Sequence, residues 1–311
     1  MQTLLADRMI IQTNKLTKSY GSRRGITNIN LSVGEGEIFG FLGPNGAGKS
    51  TTIRLLMGFL NASSGSCEIL GRDCWRESHL IKRDVGYVAG DVRLYPWLTA
   101  EKALQIVGEV RGQDLTKRGK ELAERFKLEI NLPVRKMSRG NRQKVAIVTA
   151  LAHDPKVVML DEPTSGLDPL MQETLADCLR ELAQAGHTVF FSSHTLSEVE
   201  LLCDRVGIVR DGVIVADDQL QNLKAIATRT ATLIFETEEA AQGVAWPEST
   251  QLVRNYKTEC VVALEGPSTD FAKWASELPI TDISISPPNL EALFRQYYDT
   301  SADSLAATEV A

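Results

Sequence analysis

Apolar positions along this chain fall into two rhythms. Short unbroken or alternating runs predict strands, and recurrence at i, i+3, i+4, i+7 predicts helices. Ile10 to Leu16 and Ile29, Leu31, Val33 read as strands, the second alternating until Gly34-Glu35-Gly36 breaks it, and Ile38-Phe39-Gly40-Phe41-Leu42 is apolar enough for a buried strand. Ile53, Leu56, Met57 and Leu60 then mark one helix face, after which Gly65 to Leu70 and Val85 to Val88 return to strand. From Thr99 to Ala152 the rhythm is helical, with Leu104 and Val107, Leu122 and Phe126, then Val145 to Ala152, and with Asp114 and Ser138 as caps. This predicts a helical insert over about 92–153. Val157 to Leu160 and Thr188 to Phe191 are strands buried on both faces, separated by the stripe Leu175, Cys178, Leu179, Leu182 that stops at Gly186. Val206 to Arg210 and Val213 to Val215, joined by Asp211-Gly212, predict a tight hairpin.

The composition changes near residue 225. Beyond it Thr232 to Phe235, Val261 to Leu264 and Ile280 to Ile285 predict short strands, with a helix around Phe271 to Leu278. A last helix, Leu290, Leu293, Phe294, Tyr297, follows Pro287-Pro288. The expected division is therefore an α/β domain over 1–225, a small α+β domain over 226–299 and a disordered tail over 300–311.

Composition narrows the class. With 311 residues, 43% hydrophobic and 24% charged, the chain is that of an ordinary globular protein able to bury a core. No run of about 18 apolar residues is available to span a bilayer, so the chain is not itself a channel. Met1 to Ile11 carries Asp7 and Arg8 and has no sustained apolar stretch, so no secretory signal is read there and a cytoplasmic location is expected. The five cysteines, Cys67, Cys74, Cys178, Cys203 and Cys260, are scattered without C-x-x-C spacing and read as reduced buried thiols. Net charge is −6, but residues 226–311 hold 5 Lys+Arg against 13 Asp+Glu, which leaves +2 for residues 1–225. Neither part has the basic excess of a nucleic-acid footprint.

The chemistry centres on Gly43-Pro44-Asn45-Gly46-Ala47-Gly48-Lys49-Ser50-Thr51, a G-x-x-x-x-G-K-[ST] phosphate-binding loop between a strand and a helix. Its glycines let backbone N–H groups turn onto phosphates, Lys49 brings charge to the β and γ oxygens, and Ser50 offers a hydroxyl to Mg²⁺. The following helix adds the positive end of its dipole. Downstream, the strand Val157 to Leu160 delivers Asp161 and Glu162 at its C-terminal end, where ligands bind in an open α/β sheet. Asp161 is placed to hold Mg²⁺ through water and Glu162 to polarise an attacking water. His194 ends the next core strand, on the same sheet edge, within reach of a γ-phosphate. Tyr20 either caps a turn beside Gly21 or stacks on adenine.

In this order these stretches resemble the ATP-binding subunit of ABC transporters, over about residues 10–225. Ser138-Arg139-Gly140-Asn141-Arg142-Gln143 is similar to that family's signature, which clamps the γ-phosphate of ATP held by the opposite subunit. Ser165-Gly166-Leu167-Asp168 is similar to the loop that crosses the dimer interface, and Arg205 to Gly212 to the segment after the histidine. The resemblance implies the P-loop NTPase fold of ABC ATPases. It also implies a homodimer closing head to tail on two ATP, in which each ATP meets Gly43 to Thr51, Asp161, Glu162 and His194 of one copy and Ser138 and Gly140 of the other. The S-R-G-N-R-Q-K form of the signature and the Pro-Pro-Asn-Leu-Glu-Ala-Leu-Phe ending resemble the exporter (ABC-2 type) subfamily, whose six-helix permease is a separate chain. The expected place is then the cytoplasmic face of the membrane, with the cargo unspecified because the permease selects it.

One departure stands out. Where the family usually has a glutamine that touches Mg²⁺ and faces the permease, this chain has Gly90, followed by Asp91. Asp91 is the nearest group able to hold the metal through water; its alternative is a solvated loop acid. Two other readings compete. A soluble mechanical ATPase of the same fold, acting on ribosomes or DNA, usually has two ATPase units or a long coiled coil, and neither is evident. A phosphate-loop kinase lacks a signature stretch, and a GTPase normally carries an N-K-x-D motif, which is not found on a suitable strand end.

Overall fold

The computed structural model describes residues 8–21, 23–227, 229–265, 268–286, 290 and 294. The chain divides into two compact units, Met1–Gln219 and Leu220–Ala311.

The first unit opens with β1 (Met9–Tyr20) and β2 (Arg23–Gly34), both longer than the apolar pattern predicts, because register shifts along their ladder move apolar residues out of strict alternation. β3 (Ile38–Leu42) is buried at all five positions and runs straight into the phosphate loop and α1 (Lys49–Leu56). The helix stops one turn before the expected Leu60. At Gly58 the backbone turns left-handed and approaches so closely that a Cβ there would sit 2.3 Å from the Cys74 carbonyl oxygen. β4 (Ser64–Ile69), β5 (Arg72–Asp73), α2 (Ser78–Asp84) and β6 (Val85–Val88) follow.

The helical insert consists of α3 (Ala100–Arg111), α4 (Thr116–Arg125) and α5 (Arg139–Leu151). Ser138 caps α5, its Oγ accepting the Asn141 N–H at 3.2 Å. Asp114 does not stand at the cap position of α4, which Leu115 occupies, but its carboxylate still accepts the Thr116 N–H at 2.8 Å. Hydrogen bonding from Thr116 holds that carboxyl below its usual range.

The unit closes with β7 (Val157–Asp161), α6 (Pro169–Gln184), β8 (Thr188–Ser193), α7 (Leu196–Leu202) and the hairpin β9 (Arg205–Arg210) and β10 (Val213–Gln219). Two sheets result, an antiparallel one in the order β2-β1-β4-β5 and a six-stranded one in the order β10-β9-β3-β8-β7-β6. In the second only β10 is antiparallel. Its centre is an aromatic seam, with the Phe190 ring 5.6 Å from Phe39 and 5.4 Å from Phe41, in the range of favourable tilted pairs. β3, β8 and β7 lie side by side, so the phosphate loop, His194 and the Asp161-Glu162 pair leave the sheet at one edge.

The second unit contains α8 (Leu220–Ile226), β11 (Arg229–Phe235), α9 (Glu238–Gln242), β12 (Thr250–Tyr256), β13 (Glu259–Leu264), α10 (Ser268–Ala275) and β14 (Ile280–Ile285). Its strands form an antiparallel sheet ordered β12-β13-β11-β14, the topology of a βαββαβ unit. Leu233, Phe235, Val262 and Phe271 are among the residues of its own core. Of the expected final helix, Leu290 and Phe294 are helical and buried, while Leu293, Tyr297 and the expected tail lie outside the described residues.

All five cysteines are free and buried. Burial pushes the Cys178 thiol up to about 11, so it stays protonated at neutral pH.

Candidate active site

The phosphate loop wraps a cavity of about 140 Å³ lined by Gly25, Asn45, Gly46, Gly48, Lys49, Ser50, Thr51 and Glu162. Gly48 has φ +111°, and a Cβ there would stand 2.6 Å from Ile26 Cγ2, so both conformation and space demand glycine. The turn it makes starts α1, whose first three residues, Lys49, Ser50 and Thr51, line the cavity. Lys49 is only 5% exposed. Its Nζ donates to the carbonyl oxygens of Gly43 at 2.6 Å and Pro44 at 3.2 Å and lies 3.3 Å from Glu162 Oε1.

Glu162 stands one residue past the end of β7 with φ +48°, a left-handed backbone that a side chain disfavours. Two contacts define it. Its N–H donates to Ser192 O at 3.1 Å, and its Oε2 lies 3.2 Å from His194 Nδ1. Asp161, 5% exposed, accepts a hydrogen bond from Ser192 Oγ at 2.7 Å. Its negative charge, after burial, contributes to raising the nearby Tyr87 phenol above its usual range.

Lys49, Ser50, Thr51 and Glu162 thus meet around one cavity, with His194 in contact through Glu162. Tyr20 is outside its lining, at the end of β1 with its ring 41% exposed and Lys18 Nζ 5.6 Å from the centroid. Ser138 and Gly140 are outside it as well. They face the Ser165-Gly166 loop, where Arg139 donates to Ser165 Oγ at 2.6 Å and a Cβ on Gly140 would come within 2.4 Å of Gly166 O. Asp91 points elsewhere: its carboxylate is held by Arg93 at 2.8 Å and the side chain is 74% exposed. At Gly90 an added Cβ would sit 3.3 Å from Asp161 Oδ2. Two participants escape the sequence reading: Gly25 reaches the cavity from β2, and Ser192 ties both acids to β8. Gln143, the last residue of the signature-like stretch, donates from α5 to Pro163 O at 2.9 Å.

A family model described as ABC transporter matches residues 26–165. The chain is 39% identical over 218 residues to the bacitracin transport ATP-binding protein BcrA of Bacillus licheniformis, covering 69% of this chain and 71% of that protein. It belongs to the ABC transporter family, as an ATPase subunit. It is also 36% identical to the linearmycin resistance ATP-binding protein LnrL of Bacillus subtilis, across 67% of this chain and 68% of that one. Among solved structures, a dimeric post-hydrolysis state of the ATP-binding cassette MJ0796 bound to ADP and Pi superposes with a TM-score of 0.62 at 28% identity, covering 68% of this chain and 99% of that one. These matches account for the P-loop ATPase fold of this ABC subunit.

A second, larger concavity of about 600 Å³ lies beside the insert, between β6 and the faces of α3 and α5. Tyr95 and Trp97 stack at its rim with ring centroids 5.7 Å apart and are 68% and 52% exposed. His153 lines it, and burial, helped by the Arg111 charge, pushes its pKa down to about 4.

Proposed function

We propose that two copies of this chain close head to tail on two ATP with Mg²⁺, and that hydrolysis drives export through a separate membrane permease at the cytoplasmic face. The supporting observation is the split between the two halves of the expected site. Lys49 and Glu162 share a cavity that omits Ser138 and Gly140 of the same chain, so a second copy is needed to bring a signature stretch to the nucleotide.

The cavity suits the phosphate end of ATP. Its volume is below that of a pocket enclosing a whole small ligand, which leaves the base outside, where the exposed Tyr20 ring offers a stacking surface. The oxygen donors Ser50 and Asp161 would suit Mg²⁺, which would supply charge neutralisation for the phosphates. Lys49 exchanges its loop carbonyls for phosphate oxygens. Glu162 accepts a proton from the water that attacks the γ-phosphorus, the bond to the β,γ-bridging oxygen breaks, and ADP and phosphate leave. His194 holds the Glu162 carboxylate and the γ-phosphate in one frame. Loss of the shared phosphate releases the second copy, which is the mechanical step.

The aromatic concavity is the reading's place for the permease. An amphipathic segment fits apolar side chains between Trp97 and Ile106. Relatives concerned with bacitracin transport and linearmycin resistance favour outward movement of a small toxic molecule. The test is Glu162→Gln, which removes the charge that activates water but keeps the shape of the pocket. It should accumulate as an ATP-bound dimer in gel filtration with light scattering, and a monomeric variant hydrolysing at the parental rate would reject the reading.

A further inference from the structure

Glu162 and His194 both stand one residue beyond the strands that deliver them, β7 ending at Asp161 and β8 at Ser193. Past those ends one more backbone bond joins the two segments, Glu162 N–H to Ser192 O at 3.1 Å, and Glu162 is in a left-handed conformation that persists only where its surroundings over-determine it. Ser192 meets part of that need by bonding Asp161 and the Glu162 N–H. The next level along the two segments has no backbone bond and is bridged by one carboxylate. Glu198, from α7, accepts from Thr164 Oγ1 at 2.8 Å through Oε1 and from Ser193 Oγ at 2.5 Å through Oε2. Ser193 Oγ in turn accepts the Thr195 N–H at 2.8 Å, so the residues on both sides of His194 are tied to it. Thr164 lies two residues after Glu162.

We propose that Glu198 is a positioning residue for ATP hydrolysis: its two oxygens clamp the segment carrying Glu162 to the segment carrying His194 and hold the 3.2 Å contact between them. It is not among the residues that line the phosphate cavity. Its role is geometric, because a displacement of about 1 Å in a catalytic group is enough to cost roughly a hundredfold in rate. The proposal rests on Glu162 and His194 carrying hydrolysis.

A geometric role sets a specific pattern. Glu198→Ala should lower kcat by about ten- to a hundredfold while KM and Kd for ATP stay within about threefold, because the phosphate loop is untouched. Glu198→Gln should recover most of the rate. Glutamine keeps the length, its oxygen accepts from Thr164, and its NH₂ donates to Ser193 Oγ, whose own hydrogen can turn to Thr195 O at 3.2 Å. A group needed for its charge or its proton would instead make Glu198→Gln as slow as Glu198→Ala. Thr164→Val alone should slow turnover, and adding it to Glu198→Ala should cost nothing more, since both remove one bridge.

The experiment is steady-state ATPase and nucleotide binding for these variants of the full chain, each well below its own melting temperature. Glu162→Gln and His194→Ala are run beside them. Parental kcat in Glu198→Ala, a Gln variant no better than Ala, or multiplying losses in the double variant would each overturn the proposal with the site intact. Parental turnover in Glu162→Gln and His194→Ala would overturn the reading of the site and this proposal with it.

Discussion

The ammonium of Lys49 lies 3.3 Å from the carboxylate of Glu162 and 2.6 Å from the carbonyl oxygen of Gly43, with the side chain almost wholly buried. Lys49 also lines the cavity that suits phosphate. Lys49→Ala should weaken ATP binding by about ten- to a hundredfold, the scale of one charge-assisted hydrogen bond. Equilibrium titration with a fluorescent nucleotide measures it, with circular dichroism confirming the fold, and unchanged affinity would remove Lys49 from the site.

Asp91 is held by Arg93 and exposed, whereas Asp161 is buried beside Gly90. A Mg²⁺ titration of ATPase activity should therefore be unmoved in Asp91→Ala. Asp161→Asn should shift it to higher Mg²⁺ by about tenfold or more, equivalent to about 1.4 kcal/mol. A shift in Asp91→Ala would bring that carboxylate back to the metal.

His153 is 9% exposed and neutral in the folded chain down to about pH 4, against about 6.5 when unfolded. The unfolded state takes up the proton first as pH falls, so the contribution is complete above pH 6.5 and is lost progressively between 6.5 and 4. Its size should be roughly 1–2 kcal/mol. Thermal melts at pH 7.5 and 5 should show a smaller drop for His153→Gln than for the parent, by about 2–6 °C. Equal drops would mean that the ring charges freely.

Every residue that lines the phosphate cavity lies in the unit Met1–Gln219. A chain ending at Gln219 should bind ATP with an affinity within about threefold of the full chain, below 1 kcal/mol. A folded truncation that has lost the nucleotide would show that the second unit contributes to the site.

Docking of the permease at the Trp97 concavity, as proposed, would separate coupling from chemistry. Trp97→Ala should leave the isolated chain's ATPase activity intact and reduce recovery of the membrane partner by about tenfold or more, as expected where an exposed aromatic anchors an interface. Affinity purification from membranes reads the second quantity, and full recovery would move the docking surface elsewhere.

The local chemistry of this protein was legible in the sequence because it is built from contiguous residues. Gly43 to Thr51 need neighbours only a few positions away to form their turn, and the apolar runs Ile38 to Leu42, Val157 to Leu160 and Thr188 to Phe191 declare buried strands whose ends carry the phosphate loop, the Asp161-Glu162 pair and His194. β12 was missed for an equally physical reason: it is an exposed edge strand with a bulge between Leu252 and Arg254, so its residues never alternate cleanly. Only the tertiary structure decided what meets across long stretches of chain. Which strand stands beside which brings Gly25 to the phosphate loop, lets Gln143 reach Pro163, and sets Glu198 between Thr164 and Ser193. Side-chain direction decided the rest, turning Asp91 to Arg93 although the sequence puts it beside Gly90. Spacing along the chain reports on local backbone geometry, and contacts between residues about 20 to 35 apart depend on packing that no local pattern encodes.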